Sequence, residues 1–246
     1  MVKIFEVIIN PSKFNEIANK NYILVGVLTF IVLTTTFNSL KYVINYENYK
    51  ITMMNQMDES LKNIEENLKK KGLTLEERKE KLKNYEKFYL QTISLPAIVI
   101  TYIAIGIFLQ PIILLIQTFV FGFIFLLFQN YKYNFKALFS VVLFSKSYII
   151  LGSFFTLILS IIFGSPTFSL SASSLIPYEA IANNDYLKIL RNTLYHIEPF
   201  SILSLILLAI GLSKVFDFQM KQAFLGVFSI FFTFLVLNAL FYLLFF

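Results

Sequence analysis

From Thr92 to Phe128 the chain runs for 37 residues without a charge, TISLPAIVITYIAIGIFLQPIILLIQTFVFGFIFLLF. A helix in water offers one apolar stripe to a core and keeps its other face polar, so a run this long and apolar on every side belongs in lipid. About 20 apolar residues span the roughly 30 Å of hydrocarbon as a helix, the form that satisfies its own backbone polar groups there. This segment, 91–128, is joined by four others that meet or approach that length, at 22–40, 137–163, 200–213 and 222–246. The fold class expected is therefore all-α, a polytopic membrane helix bundle with five transmembrane helices and an extramembrane helical hairpin. Composition agrees: 57% of residues are hydrophobic and 15% charged, where a soluble domain carries about 25% charge.

The same composition removes much chemistry. With no Cys and one His, the chain lacks a thiol nucleophile, a disulfide framework and the thiolate and imidazole ligands of common zinc sites, so no metal or cofactor site is expected. His196 stands beside Glu198 at a loop end before Pro199 and reads as an interfacial histidine rather than a general base. The spans hold no carboxylate pair, and Ser171 to Ser174 have no neighbouring base and read as a flexible loop. No catalytic residue is assigned and the chain is read as a non-enzyme. The net charge of +6 comes from basic residues beside acidic ones or at span ends, which suits anionic lipid headgroups and not nucleic acid.

Between the spans, residues 1–21 read as an amphipathic interfacial helix, capped by Asn10 and Pro11 with Phe14, Ile17 and Ala18 on one face. Residues 41–90 form the hairpin. Met54, Met57, Leu61, Ile64 and Leu68 recur at steps of three and four as a seam. Gly72 ends the first arm, and Thr74 with Glu77 makes a capping box for a second arm carrying Leu75, Leu82, Tyr85 and Tyr89. The hairpin is either a stiff solvated spacer or a docking stalk. Segment 91–128 is too long for one simple crossing and contains Pro96 and Pro111, leaving a single kinked helix or a re-entrant element, with a lead-in before the crossing at 109–128. In the loop 164–199, a short amphipathic helix from Asp185 to Tyr195 places Leu187, Leu190 and Leu194 on one side, against the bilayer surface.

Two groups of side chains stand out as candidate sites. Lys146 is the one ionised group inside a span; a mid-bilayer charge costs roughly 2.5–3.5 kcal/mol, so it either serves a function or snorkels toward the headgroups. Gln110 and Pro111 mark the break in the second segment. Gly211, Ser213, Lys214 and Lys221 surround the tight turn between the last two spans and are the candidate contact for a partner or for lipid headgroups. Asn38, Gln110, Gln117 and Asn238 are expected to hydrogen-bond between helices.

Orientation receives conflicting signals. A cytoplasmic amino terminus places Lys3, Lys13, Lys20, Lys132, Lys136, Lys214 and Lys221 inside, yet puts the eleven Lys and Arg of the hairpin outside. The segments FSILSLILLAIGLSKVFDFQMKQAF, NPSKFNEI and FKALFSVVLFS resemble the Ypt-interacting protein (YIP) family of multi-pass membrane proteins, in order and spacing along essentially the whole chain, as a prokaryotic-type member. The chain departs from the family at Lys146 and Ser147, where members usually place small residues or proline. The resemblance implies five spans, a cytoplasmic amino terminus and an external carboxyl terminus in the plasma membrane of a prokaryote. Eukaryotic members act in membrane trafficking with small GTPases. The function expected is a non-enzymatic scaffold or adaptor that meets the lipid bilayer and a protein partner, or self-associates. The alternative is a transporter or lipid-moving protein that uses the kinked second segment and Lys146.

Overall fold

A computed structural model of the 246-residue chain describes residues 10, 13–14, 22–128, 131–166, 168–176 and 184–245. The helix expected over residues 1–21 lies outside these residues except at positions 10, 13 and 14. The elements are α1 (Ile23–Ile44), α2 (Tyr46–Lys70), α3 (Leu75–Thr92), α4 (Leu95–Ala104), a π-helical turn (Ile105–Leu109), α5 (Gln110–Gly122), α6 (Ile124–Leu127), α7 (Phe135–Ser145) and α8 (Ser147–Phe163). After a 3₁₀ turn at Ala172–Leu175 follow α9 (Asp185–Tyr195), α10 (Pro199–Phe216) and α11 (Met220–Phe245). Five stretches are long and apolar enough to cross a membrane: Ile23–Ile44, Leu95–Leu127, Phe135–Phe163, Pro199–Phe216 and Met220–Leu244. The described chain is an all-α polytopic bundle.

The second membrane segment is one helical path of 33 residues, about 50 Å at 1.5 Å per residue. It needs no hydrophilic turn at Gln110. Pro111 has no N–H to give to the carbonyl one turn earlier, and the wider π-helical turn at Ile105–Leu109 sits where that mismatch must be absorbed. The third segment, Phe135–Phe163, has a tightened turn at Lys146, whose N–H bonds to Leu143 O at 3.1 Å.

The chain packs as two compact units. One comprises the described parts of Met1–Thr34, Gly106–Thr156 and Ser169–Phe246. Its centre is α7, where seven of eleven residues are buried. α7 packs against α5 and α10, and α10 against α11. Small residues permit further close approaches, α1 to α7, α8 to α10 and α11 to α6: a β-carbon added at Gly26 would lie 2.9 Å from Leu143 Cδ2, one at Gly152 2.8 Å from Phe200 Cβ, and one at Gly226 3.0 Å from Ile124 Cγ2. In lipid, where apolar surface alone gives helices little reason to associate, such close backbone contact supplies dispersion energy instead.

The other unit comprises Thr35–Ile105 and Leu157–Phe168 and contains the hairpin. Gly72 adopts φ +73°, letting Leu73 N reach Leu68 O at 3.4 Å and closing α2. Thr74 and Glu77 form the expected reciprocal capping box: Thr74 Oγ1 accepts from Glu77 N at 3.3 Å and Thr74 N donates to Glu77 Oε2 at 2.9 Å. The seam is narrower than its periodicity suggested. Met57 and Leu68 are buried, but Met54 is exposed, and on the second arm Leu75 and Tyr85 are 58% and 50% exposed. With no buried residue on α3, water rather than packing surrounds most of that arm. At the hairpin base, Asn45 Nδ2 donates to Lys41 O at 2.9 Å and to Ser160 Oγ at 3.5 Å, and Asn48 Nδ2 donates to Gly164 O at 2.8 Å. Tyr42 stacks on Tyr102 and meets Tyr49 edge-on.

Candidate functional site

α10 ends at Phe216, and Asp217 takes a left-handed conformation with φ 58°, which a short polar side chain tolerates better than most. The chain reverses within three residues and Phe218 swings inward, 2% exposed. It stacks on Tyr131 at 3.9 Å and receives edge contacts from Phe125 and Phe128. Phe125 also meets Phe216 and Tyr133 edge-on, and the Tyr131 hydroxyl donates to Gln222 Oε1 at 2.9 Å. Edge-to-face pairs of this kind add about 0.5–1.5 kcal/mol each beyond burial. Two loops some 85 residues apart are locked into one platform.

Lys132, Lys136, Lys214 and Lys221 are exposed on these loops and the adjoining helix ends. Asp217 is the one carboxylate in segments 128–136 and 213–222. Lys214 and Lys221 are exposed on either side of the turn whose Phe218 points inward. The aromatic floor was not read from the sequence, although the alternating pattern of Tyr131, Tyr133 and Phe135 and the pair Phe216 and Phe218 carried a signal for it.

Gly211 does not belong to that surface. It is buried, and a β-carbon there would stand 2.6 Å from Val141 Cγ1 and 3.0 Å from the ring of Phe14, itself fully buried. The expected contact role of Gly211 is corrected accordingly: its missing side chain is the space Phe14 fills. Ser213, two residues on, is half-buried. Phe14 of NPSKF, Val141 of FKALFSVVLFS and Gly211 of IGLSK meet in one contact.

Gln110 is joined to another helix, α1, by a hydrogen bond. The Thr34 hydroxyl, buried on α1, donates to Gln110 Oε1 at 2.9 Å and lies 2.6 Å from Phe30 O. Of the other expected interhelical amides, Gln117 Oε1 and Asn238 Nδ2 are buried without a hydrogen-bond partner among the described residues. At Lys146 the flanking hydroxyls are occupied: Ser145 Oγ donates to Val142 O at 2.7 Å and Ser147 Oγ to Phe144 O at 2.8 Å. Lys146 joins neither Gln110 nor Pro111 through a hydrogen bond.

The serine segment corrects its reading as a flexible loop. Ser171 and Ser173 are buried and their hydroxyls bond to one another, Ser174 Oγ donates to Ser171 O at 2.8 Å, Ser169 Oγ donates to Glu198 Oε1 at 3.4 Å, and Ala172 N donates to Ile197 O at 2.8 Å. This knot packs on α9, which also lies against α11. Leu187 and Leu194 are partly covered, whereas Leu190 of the same expected face is 47% exposed. His196 lies edge-on to Phe234 at 5.1 Å, and its burial lowers its pKa below the usual histidine range. Among the described residues no group of three or more His, Asp or Glu could hold a metal ion.

A five-span helical bundle with a packed loop platform defines the class, a multi-pass membrane protein. The Yip1 domain matches residues 5–241, nearly the full length, and the chain belongs to that family. No curated protein matches the chain, and no solved structure does.

Proposed function

We propose that this Yip1-domain protein is a non-enzymatic membrane scaffold or adaptor, and that it meets its partner and lipid headgroups at the platform formed by the 131–134 segment and the 217–219 turn. The observation that carries the reading is the exposed set Lys132, Lys136, Lys214 and Lys221 around a rigid aromatic floor. Each lysine near an anionic leaflet contributes about 1 kcal/mol of attraction, and a preordered floor spares a partner the cost of ordering loops. Self-association through this surface is disfavoured by like charge, so a protein of acidic surface is the partner class. The orientation proposed keeps the amino terminus and this platform cytoplasmic, with the hairpin and carboxyl terminus external, in the plasma membrane of a prokaryote.

Photo-crosslinking from position 214 or 221 in native membranes tests the partner reading: a discrete adduct is expected, and an uncrosslinked monomer at every position sinks it. The side of the membrane is tested by a cysteine introduced at Asn63, in a chain that has none of its own. An impermeant thiol reagent should label it in intact cells; protection inverts the topology. A second reading, movement of lipid or solute, is favoured by the π-helical turn before Pro111 and by Lys146. Purified protein in liposomes that moves neither faster than empty vesicles removes it.

A further inference from the structure

α10 and α11 leave one turn, 217–219, so heights along both can be measured from the same level. α10 has 18 residues, about 27 Å of helix, and α11 has 26, about 39 Å. Lys221, exposed at the start of α11, marks the near boundary of the hydrocarbon. A core of roughly 30 Å measured from there ends near Leu240. His196, the residue that ends α9, meets Phe234 edge-on at 5.1 Å, and Phe234 stands about 21 Å along α11. The end of α9 therefore lies about 9 Å beneath the far boundary. α9 packs on α11, which continues past that height with exposed Val236, Leu237, Leu240 and Phe241.

A helix at that depth has acyl chains on one side and headgroups on the other, and the exposure of α9 divides in the same way. At about 100° per residue, Tyr186 and Leu190 lie roughly 40° apart on the helix, and they are 79% and 47% exposed. Asn184, Lys188 and Tyr195 are exposed as well, and stand roughly 160–200° round from Tyr186. The residues between, Leu187, Ile189, Arg191, Asn192, Thr193 and Leu194, are half-buried where α9 packs on the 3₁₀ turn and on α11. Thr193 falls on the apolar side, and its hydroxyl donates to Ile189 O at 2.9 Å, so that polar atom is satisfied within the helix. The supporting knot is satisfied internally too: Ser171 and Ser173 bond to one another, Ser174 Oγ donates to Ser171 O, and Ala172 N donates to Ile197 O. Irregular backbone inside a leaflet requires that. A protein partner would cover one face, whereas two opposed faces of opposite polarity at a hydrocarbon boundary match lipid.

We infer that α9 is seated inside one leaflet, and that its Tyr186 and Leu190 face is a docking surface for lipid acyl chains while Lys188 and Tyr195 face headgroups and water. The occupant is the bilayer itself and not a selected lipid, and the inference is independent of the scaffold reading. The face differs from the one the leucine spacing suggests, because Leu187 and Leu194 are half-buried and Tyr186 takes their place beside Leu190. The chain has no Trp, so Tyr186→Trp, Leu190→Trp and Tyr195→Trp each place a single fluorophore in the full-length protein, reconstituted in phosphatidylcholine vesicles with iodide on both sides. Phosphatidylcholine brominated on its acyl chains should quench at 186 and 190 several-fold more than iodide does, and the order should reverse at 195. Bromines near the carbonyl end of the chain should quench more than those near the methyl end, as a depth of about 5–10 Å requires. Iodide quenching at 186 and 190 equal to that at 195 places the face in water and overturns the proposal. Protection from both quenchers there means that protein covers the face, which overturns it as well, as does bromolipid quenching at 195 equal to that at 186. If Leu190→Trp fails to fold, the conservative pair at 186 and 195 decides the matter alone.

Discussion

α7 and α3 are both helices, the one apolar and the other rich in charge, and they behave as opposites. α7 buries seven of its eleven residues and is touched on several sides, while α3 buries none of its eighteen. In the bundle, neighbours approach so closely that glycines set the spacing; in the hairpin, local hydrogen bonds and two seam residues hold an otherwise solvated arm. Sensitivity to mutation should therefore follow volume in the first and local chemistry in the second.

The sharpest break of this comparison is Gly211→Leu. Its first added carbon already collides with Val141 and Phe14, so a loss of at least the 1–3 kcal/mol typical of overpacking is expected. Thermal aggregation in detergent should show it, and a melting point equal to the unmodified chain would deny the Phe14 contact. Thr74→Ala removes the capping box and should cost about 1 kcal/mol, read as faster amide exchange confined to residues 75–80. Thr74 also holds the Glu77 carboxyl below the usual range through hydrogen bonds from its N–H and hydroxyl, so the same variant should move the Glu77 titration upward.

Thr34→Val deletes the bond to Gln110 and should cost about 0.6 kcal/mol, the average for interhelical bonds in a membrane; an unchanged melting point would assign the contact to packing alone. His196 provides a pH effect of the same modest class. Because its folded pKa lies below its unfolded value, the unfolded chain binds the extra proton first. Stability is then full above the unfolded pKa of about 6.5 and declines as pH falls through the lowered folded value. His196→Phe should flatten that decline in melting curves taken between pH 7.5 and 5. The smallest effect belongs to Leu75→Ser. A leucine 58% exposed in water should lose only a few tenths of a kilocalorie, and a large loss would show that α3 is covered by something else.

Signals carried within a few residues were readable in advance. The capping box at Thr74 and Glu77, the stop at Gly72, the α9 helix and the turn after Phe216 each depend on neighbours close in the chain. The tightened turn at Lys146 was not readable, because a serine that bonds its own backbone is written no differently from one that faces a neighbour. The same ambiguity hid the knot at Ser171 and Ser173, which exists only because Ile197 and Glu198 return beside it.

By itself, the sequence determined the solvent of this protein and its run of helices, since both follow from local hydrophobicity, backbone satisfaction in lipid and short-range caps. Tertiary structure alone decided that Gly211 is a socket for Phe14 rather than a surface, and that Phe218 turns inward to stack on Tyr131. Those outcomes depend on which side chains from distant segments fill the same few ångströms, and steric exclusion between segments leaves no mark in the local order of residues.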